Sequence, residues 1–67
     1  MNRERLRNTR SALGRHVARL EEDLRQADRL HGRRREAVLR GAARGFMQAG
    51  FHDLAKDVRQ RAREVRT

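Results

Sequence analysis

The chain has 67 residues, a net charge of +9 and neither cysteine nor proline. A chain this short forms one domain, too small to bury enough apolar surface for comfortable stability alone. The missing cysteine excludes disulfides and thiolate zinc sites, which leaves oligomerisation as the stabilising route.

The first element is the stretch from Leu6 to Leu30. Leu6, Leu13, Leu20 and Ala27 recur every seven residues, with Arg10, Val17 and Leu24 interleaved. That is a heptad seam, with the first set at d and the second at a. It predicts one long helix over about 3–30, whose narrow apolar stripe suits a coiled-coil contact. The expected oligomer interface is Leu6, Leu13, Val17, Leu20, Leu24 and Ala27, in a homodimer. Arg10 at an a position and Gly14 inside the helix weaken the first half, the glycine by about 1 kcal/mol relative to Ala.

Charge is unevenly spread along this helix. Residues 1–19 carry six arginines and one glutamate, a sum of +5; residues 20–30 carry four acids and two arginines, a sum of −2. The order opposes the helix dipole, which favours acid first and base last. An antiparallel second copy would set Arg3, Arg7 and Arg10 near its mate's Glu21, Asp23 and Asp28. Local pairs such as Glu21 with Arg25 account for the same charges without a partner.

Leu30-His31-Gly32 is expected to end helix 1, with Gly32 in the left-handed C′ position. Helix 2 then spans about 33–49. Val38, Leu39, Ala42, Ala43 and Phe46 form its apolar face. Ala37, Gly41, Gly45 and Ala49 form a smooth ridge beside that face, where another backbone can come close. Arg33, Arg40 and Arg44 line up on the opposite side.

Ala49-Gly50-Phe51 resembles a second glycine C-cap, with Phe51 packing back on helix 2. A break here is favoured over a helix running straight through Gly50. Helix 3 then covers about 52–66, with Asp53 suited to its start. Phe51, Leu54, Ala55, Val58, Ala62 and Val65 share one face. His52, Lys56, Arg59, Arg63 and Arg66 share one flank, and Asp53, Asp57 and Glu64 the other. The expected architecture is all-α: a helical hairpin or open three-helix bundle, single-domain over 1–67, dimerising through helix 1.

Catalysis is not expected. His16, His31 and His52 lack the i, i+4 spacing of a helical metal site, and Thr9, Ser11 and Thr67 have no activating base nearby. No cofactor or small-molecule substrate is implied. No stretch is long and apolar enough to span a bilayer, the first residues lack the apolar core of a secretory signal, and no membrane partner is expected. The cytoplasm is therefore the default location.

Seventeen of the eighteen basic residues are arginine. The planar guanidinium fork suits phosphate and carboxylate, although a GC-rich genome produces the same bias. Arg33, Arg34, Arg35, Arg40, Arg44, Lys56, Arg59, Arg63 and Arg66 are the expected contacts for DNA or RNA phosphates, with little sequence preference. Without exposed aromatic platforms, base stacking contributes little. The competing expectation is a regulator or adaptor that docks a helix face on an acidic patch of a larger protein.

Overall fold

A computed structural model describes the backbone of residues 3–66 and the side chains of residues 12–66. It contains three helices and, among the described residues, no strand: α1 Arg3–Ala27, α2 Gly32–Gln48 and α3 His52–Arg63. The segmentation follows the expected one, with earlier ends for α1 and α3.

α2 is the shared partner. It packs against α1 on one side and α3 on another, while no described Cα of α1 comes within 8 Å of one in α3. The chain is therefore two helical hairpins with one helix in common. Its radius of gyration is 14.0 Å, against about 11 Å for a compact domain of this length.

The core is the face expected for α2 plus what each neighbour lays on it. Leu39, Ala42, Ala43 and Phe46 of α2 are buried, together with Leu20 and Ala27 of α1 and Ala55, Val58 and Ala62 of α3. Leu24, Val38, Met47 and Val65 close its edges. The expectation of a complete apolar face on α3 is corrected at two positions: Phe51 and Leu54 remain 42% and 40% exposed. A helix with one packing partner buries one stripe, here Ala55, Val58 and Ala62, and its flanks stay wet.

Leu20 of α1 seats on α2 at Gly45. Leu20 lies directly on its bare backbone, and a methyl group built there would collide with Leu20 Cδ2 and sit 3.1 Å from Cδ1. Of the small-residue ridge, Gly45 does this work. A Cβ at Gly41 would meet nothing within 4 Å, and Ala37 is exposed.

That contact also fixes how far α1 overhangs. Three residues of α2 follow Gly45, whereas α1 extends back from Leu20 to Arg3. At 1.5 Å per residue, α1 runs about 25 Å past the contact. The seam is consequently covered unevenly. Ala27 and Leu20 are buried against α2, Leu24 and Val17 are half-buried, and Leu13 is 46% exposed. Leu6, also expected in the interface, lies outside the described side chains, as do Arg3, Arg7 and Arg10.

The turns differ in how they work. At the α2 end, the Gly50 N–H donates to the Met47 carbonyl at 3.1 Å and the Phe51 N–H to the Phe46 carbonyl at 2.9 Å. With Gly50 at φ +91°, this is the paired bonding of a Schellman cap. Phe51 packs edge-on against Phe46, ring centroids 6.4 Å apart. The break and the back-packing Phe51 are as expected. Asp53 falls in the first turn of α3, but the N-cap position belongs to Phe51, which makes no side-chain capping bond.

The α1 end differs from expectation. Arg29 and Leu30 donate to the carbonyls of Gln26 and Ala27, each at 3.0 Å. These short-range bonds tighten and close the helix before Leu30. Gly32 does take the left-handed conformation, at φ +59°, but as the first residue of α2. The expected Glu21 pairing is replaced by Arg25 with Glu22 at 2.8 Å. α3 likewise stops at Arg63, and Glu64 and Val65 follow as a loose turn.

Two changes test this packing. Gly41→Ala should stabilise by about 0.5–1 kcal/mol, because it removes a flexible residue from a helix with open space around it. Gly45→Val should destabilise by about 1–3 kcal/mol through overpacking against Leu20. Thermal melts followed by circular dichroism would read opposite shifts, and a rise in both would refute the close contact. Val58→Asp should abolish the cooperative melt, since it buries an unpartnered carboxylate at a site only 1% exposed.

Candidate nucleic-acid interface

Two faces of α2 are occupied by helices, so its arginines are confined to the remaining perimeter. Arg33, Arg34, Arg40 and Arg44 are exposed there, and Arg35 is half-buried. The tight Gly50 turn folds α3 back beside α2 and brings charges from both helices to one surface.

A groove of about 220 Å³ between the two helices is lined by Arg40 and Arg44 of α2 and Arg59 of α3, with Ala43, Met47 and Gln48. Arg59 also borders a second depression, of about 440 Å³, with Lys56 and Arg63. Arg40 borders a third, with Arg33 and Glu36. Six of the nine expected contacts, namely Arg33, Arg40, Arg44, Arg59, Lys56 and Arg63, thus form one connected tract across two helices.

Few of these cations are neutralised. Arg40 Nε donates to Glu36 Oε1 at 2.9 Å. Among the described residues, no carboxylate lies within ion-pair distance of Arg33, Arg44, Lys56, Arg59 or Arg63. Asp53 and Asp57 share the second depression, but Asp57 turns to Arg61, 3.5 Å away. Two carboxylates of α3 therefore line one of the three depressions together with its cations.

The other expected contacts lie elsewhere. Arg34 is exposed but borders none of these depressions. Arg35 and Arg66 meet at the far end of the α2–α3 hairpin, around a cavity of about 360 Å³ that also takes in His31, Arg61 and Glu64. Arg61 and His31 were not among the expected contacts. Arg61 looks like the mate of Asp57 when α3 is read alone. Antiparallel folding of α3 on α2 is the signal that would have found both, because it sets residues near 31–35 beside those near 61–66.

The described residues contain no group of three His, Asp or Glu placed to hold a metal ion. No described helix is long and apolar enough to cross a membrane. Comparison of the chain with protein-family models, curated proteins and solved structures finds no match.

Proposed function

We propose that this is a non-catalytic, dimeric binding protein that grips the phosphate backbone of nucleic acid through the tract Arg33–Arg40–Arg44–Arg59–Lys56–Arg63. The observation that supports this reading is the convergence of Arg40, Arg44 and Arg59 from two helices on one groove. Guanidinium groups pair with phosphate oxygens through two parallel hydrogen bonds, and a groove holds several of them at once. Phe46 is buried, and Phe51, packed edge-on against it, is the one described aromatic ring left partly exposed, so base stacking contributes little. Binding should therefore be electrostatic and tolerant of sequence.

The dimer reading rests on the part of α1 that overhangs α2. A helix standing alone in water is marginal, and Leu13 is exposed on the part that overhangs α2. A second copy laid antiparallel would cover Leu13 and Val17 and bring the basic first half of one α1 toward acids of the other. Leu20 and Ala27, which were expected in the same interface, are already covered by α2, so the dimer contact concentrates on the overhang.

A second reading has its own support. Phe51 and Leu54 are exposed on the helix that carries Lys56 and Arg59. Apolar anchors beside a basic strip suit an acidic protein surface.

A labelled mixed-sequence duplex, followed by fluorescence anisotropy, decides between them. Tight binding is expected at about 50 mM salt, with log K falling by about 4–5 per tenfold rise in salt, the slope for four to six neutralised phosphates. The double variant Arg44→Glu/Arg59→Glu should weaken binding at least tenfold while keeping its helical spectrum. No binding of DNA or RNA at low salt would discard this reading in favour of the acidic-protein one. For the dimer, sedimentation equilibrium should give twice the chain mass, and Leu13→Glu should halve it; a single-chain mass for the unmodified protein would end that proposal.

A further inference from the structure

We propose that the cavity between the start of α2 and the end of α3 is a separate site for a phosphomonoester dianion. It is lined by His31, Arg35, Arg61, Glu64 and Arg66, has a volume of about 360 Å³, and shares no residue with the tract described above.

Positive charge is concentrated here without an internal answer. α2 begins Gly32-Arg33-Arg34-Arg35, has no acid in its first turn, and receives no side-chain cap from His31. The partial positive charge of a helix N-terminus ordinarily favours acids at that position, yet three arginines occupy the first turn, of which Arg35 lines the cavity. The α2–α3 hairpin then adds Arg61 of α3 and Arg66 just beyond it.

The groups within the cavity do not satisfy one another. Glu64 is its one carboxylate, and it accepts from the Gln60 amide at 3.3 Å. It lies beyond ion-pair distance of Arg35, Arg61 and Arg66. Arg61 reaches outward to Asp57 at 3.5 Å, longer than a tight charge-assisted bond, and both partners are more than half exposed. Such a pair exchanges readily for a better acceptor. Arg35 is half-buried, and its Nε is sealed from solvent with no acceptor among the described residues. A half-buried cation with an unsatisfied donor is under-compensated, and an anion nearby offsets its charge without reaching that atom.

Charge selects the kind of anion. A phosphodiester carries one negative charge and two free oxygens. A phosphomonoester carries close to two charges and three terminal oxygens, which matches the guanidinium groups of Arg35, Arg61 and Arg66 around one depression that holds a single carboxylate. The source is either the phosphorylated end of a nucleic-acid strand or free phosphate. The first source rests on the nucleic-acid reading; the anion site itself does not.

Two measurements on the full chain test the site. Inorganic phosphate at millimolar concentration should raise the melting temperature above that in chloride of matched ionic strength. A duplex carrying 5′-phosphates should bind at least fivefold more tightly than the same duplex ending in hydroxyls. Arg61→Gln/Arg66→Gln, both exposed positions, should remove both differences. Arg44→Glu/Arg59→Glu should weaken both duplexes equally and keep the fivefold preference. A phosphate-specific rise without an end preference identifies the ligand as free phosphate. If phosphate acts no differently from chloride, or if its effect survives in Arg61→Gln/Arg66→Gln, the site is refuted. The melt decides this even if no duplex binds.

Discussion

Leu20 resting on the bare backbone of Gly45 is the contact from which the rest of the arrangement follows. A side chain at position 45 would meet the tip of Leu20, which would have to turn out of its seat on α2. The contact also sets the register of the first hairpin. Because Gly45 lies three residues from the end of α2, α1 must overshoot, and the overshoot leaves Leu13 in water. A Leu–Gly contact near the middle of α2 would have spread the seam evenly along both helices. The position of that contact near a helix end thus decides how much of α1 belongs to the core and how much extends beyond it.

The same two-sided burial of α2 organises the charges. With α1 on one side and α3 on another, the arginines of α2 keep only a strip of perimeter. α3 carries its own basic flank to the edge of that strip because the Schellman turn at Gly50 is short and fixed by two backbone hydrogen bonds. The groove between Arg40, Arg44 and Arg59 is therefore a by-product of hairpin closure, and so is the meeting of Arg35, Arg61 and Arg66 at the opposite end. Any change that lengthens the Gly50 turn would move both.

Much of the fold could be read from residue order, because it is governed by local rules. Heptad spacing marks α1, Gly50 with Phe51 marks the second turn, and Leu39, Ala42, Ala43 and Phe46 mark the inner face of α2. Where reading failed, the deciding fact was a choice among partners. Periodicity says that Leu20, Leu24 and Ala27 need cover, but it is silent on whether α2 or a second copy supplies it. Phe51 and Leu54 look buried on a helical wheel because a wheel does not know that α3 has one neighbour. The candidate site was legible as a set of arginines and illegible as a grouping. Arg33 and Arg63 join the tract through intermediates on two helices, whereas Arg66, on the same flank of α3 as Arg63, belongs to the other cavity.

The core itself explains why charge and stability must be considered together. Five of its nine buried residues are alanine, and Phe46 and Val58 are its largest fully buried side chains. At about 25 cal/mol per Å², alanines contribute little against the entropy of ordering the chain. Meanwhile a net charge of +9 on so small a body repels itself and favours expansion. An anion bound only by the folded form relieves that repulsion where it is densest and adds its own binding energy to folding. A second copy over Leu13 would add the apolar burial that the alanine core lacks. On the reading proposed here, the thin core and the unpaired arginines are one design: the chain folds most firmly when something negative is attached to it.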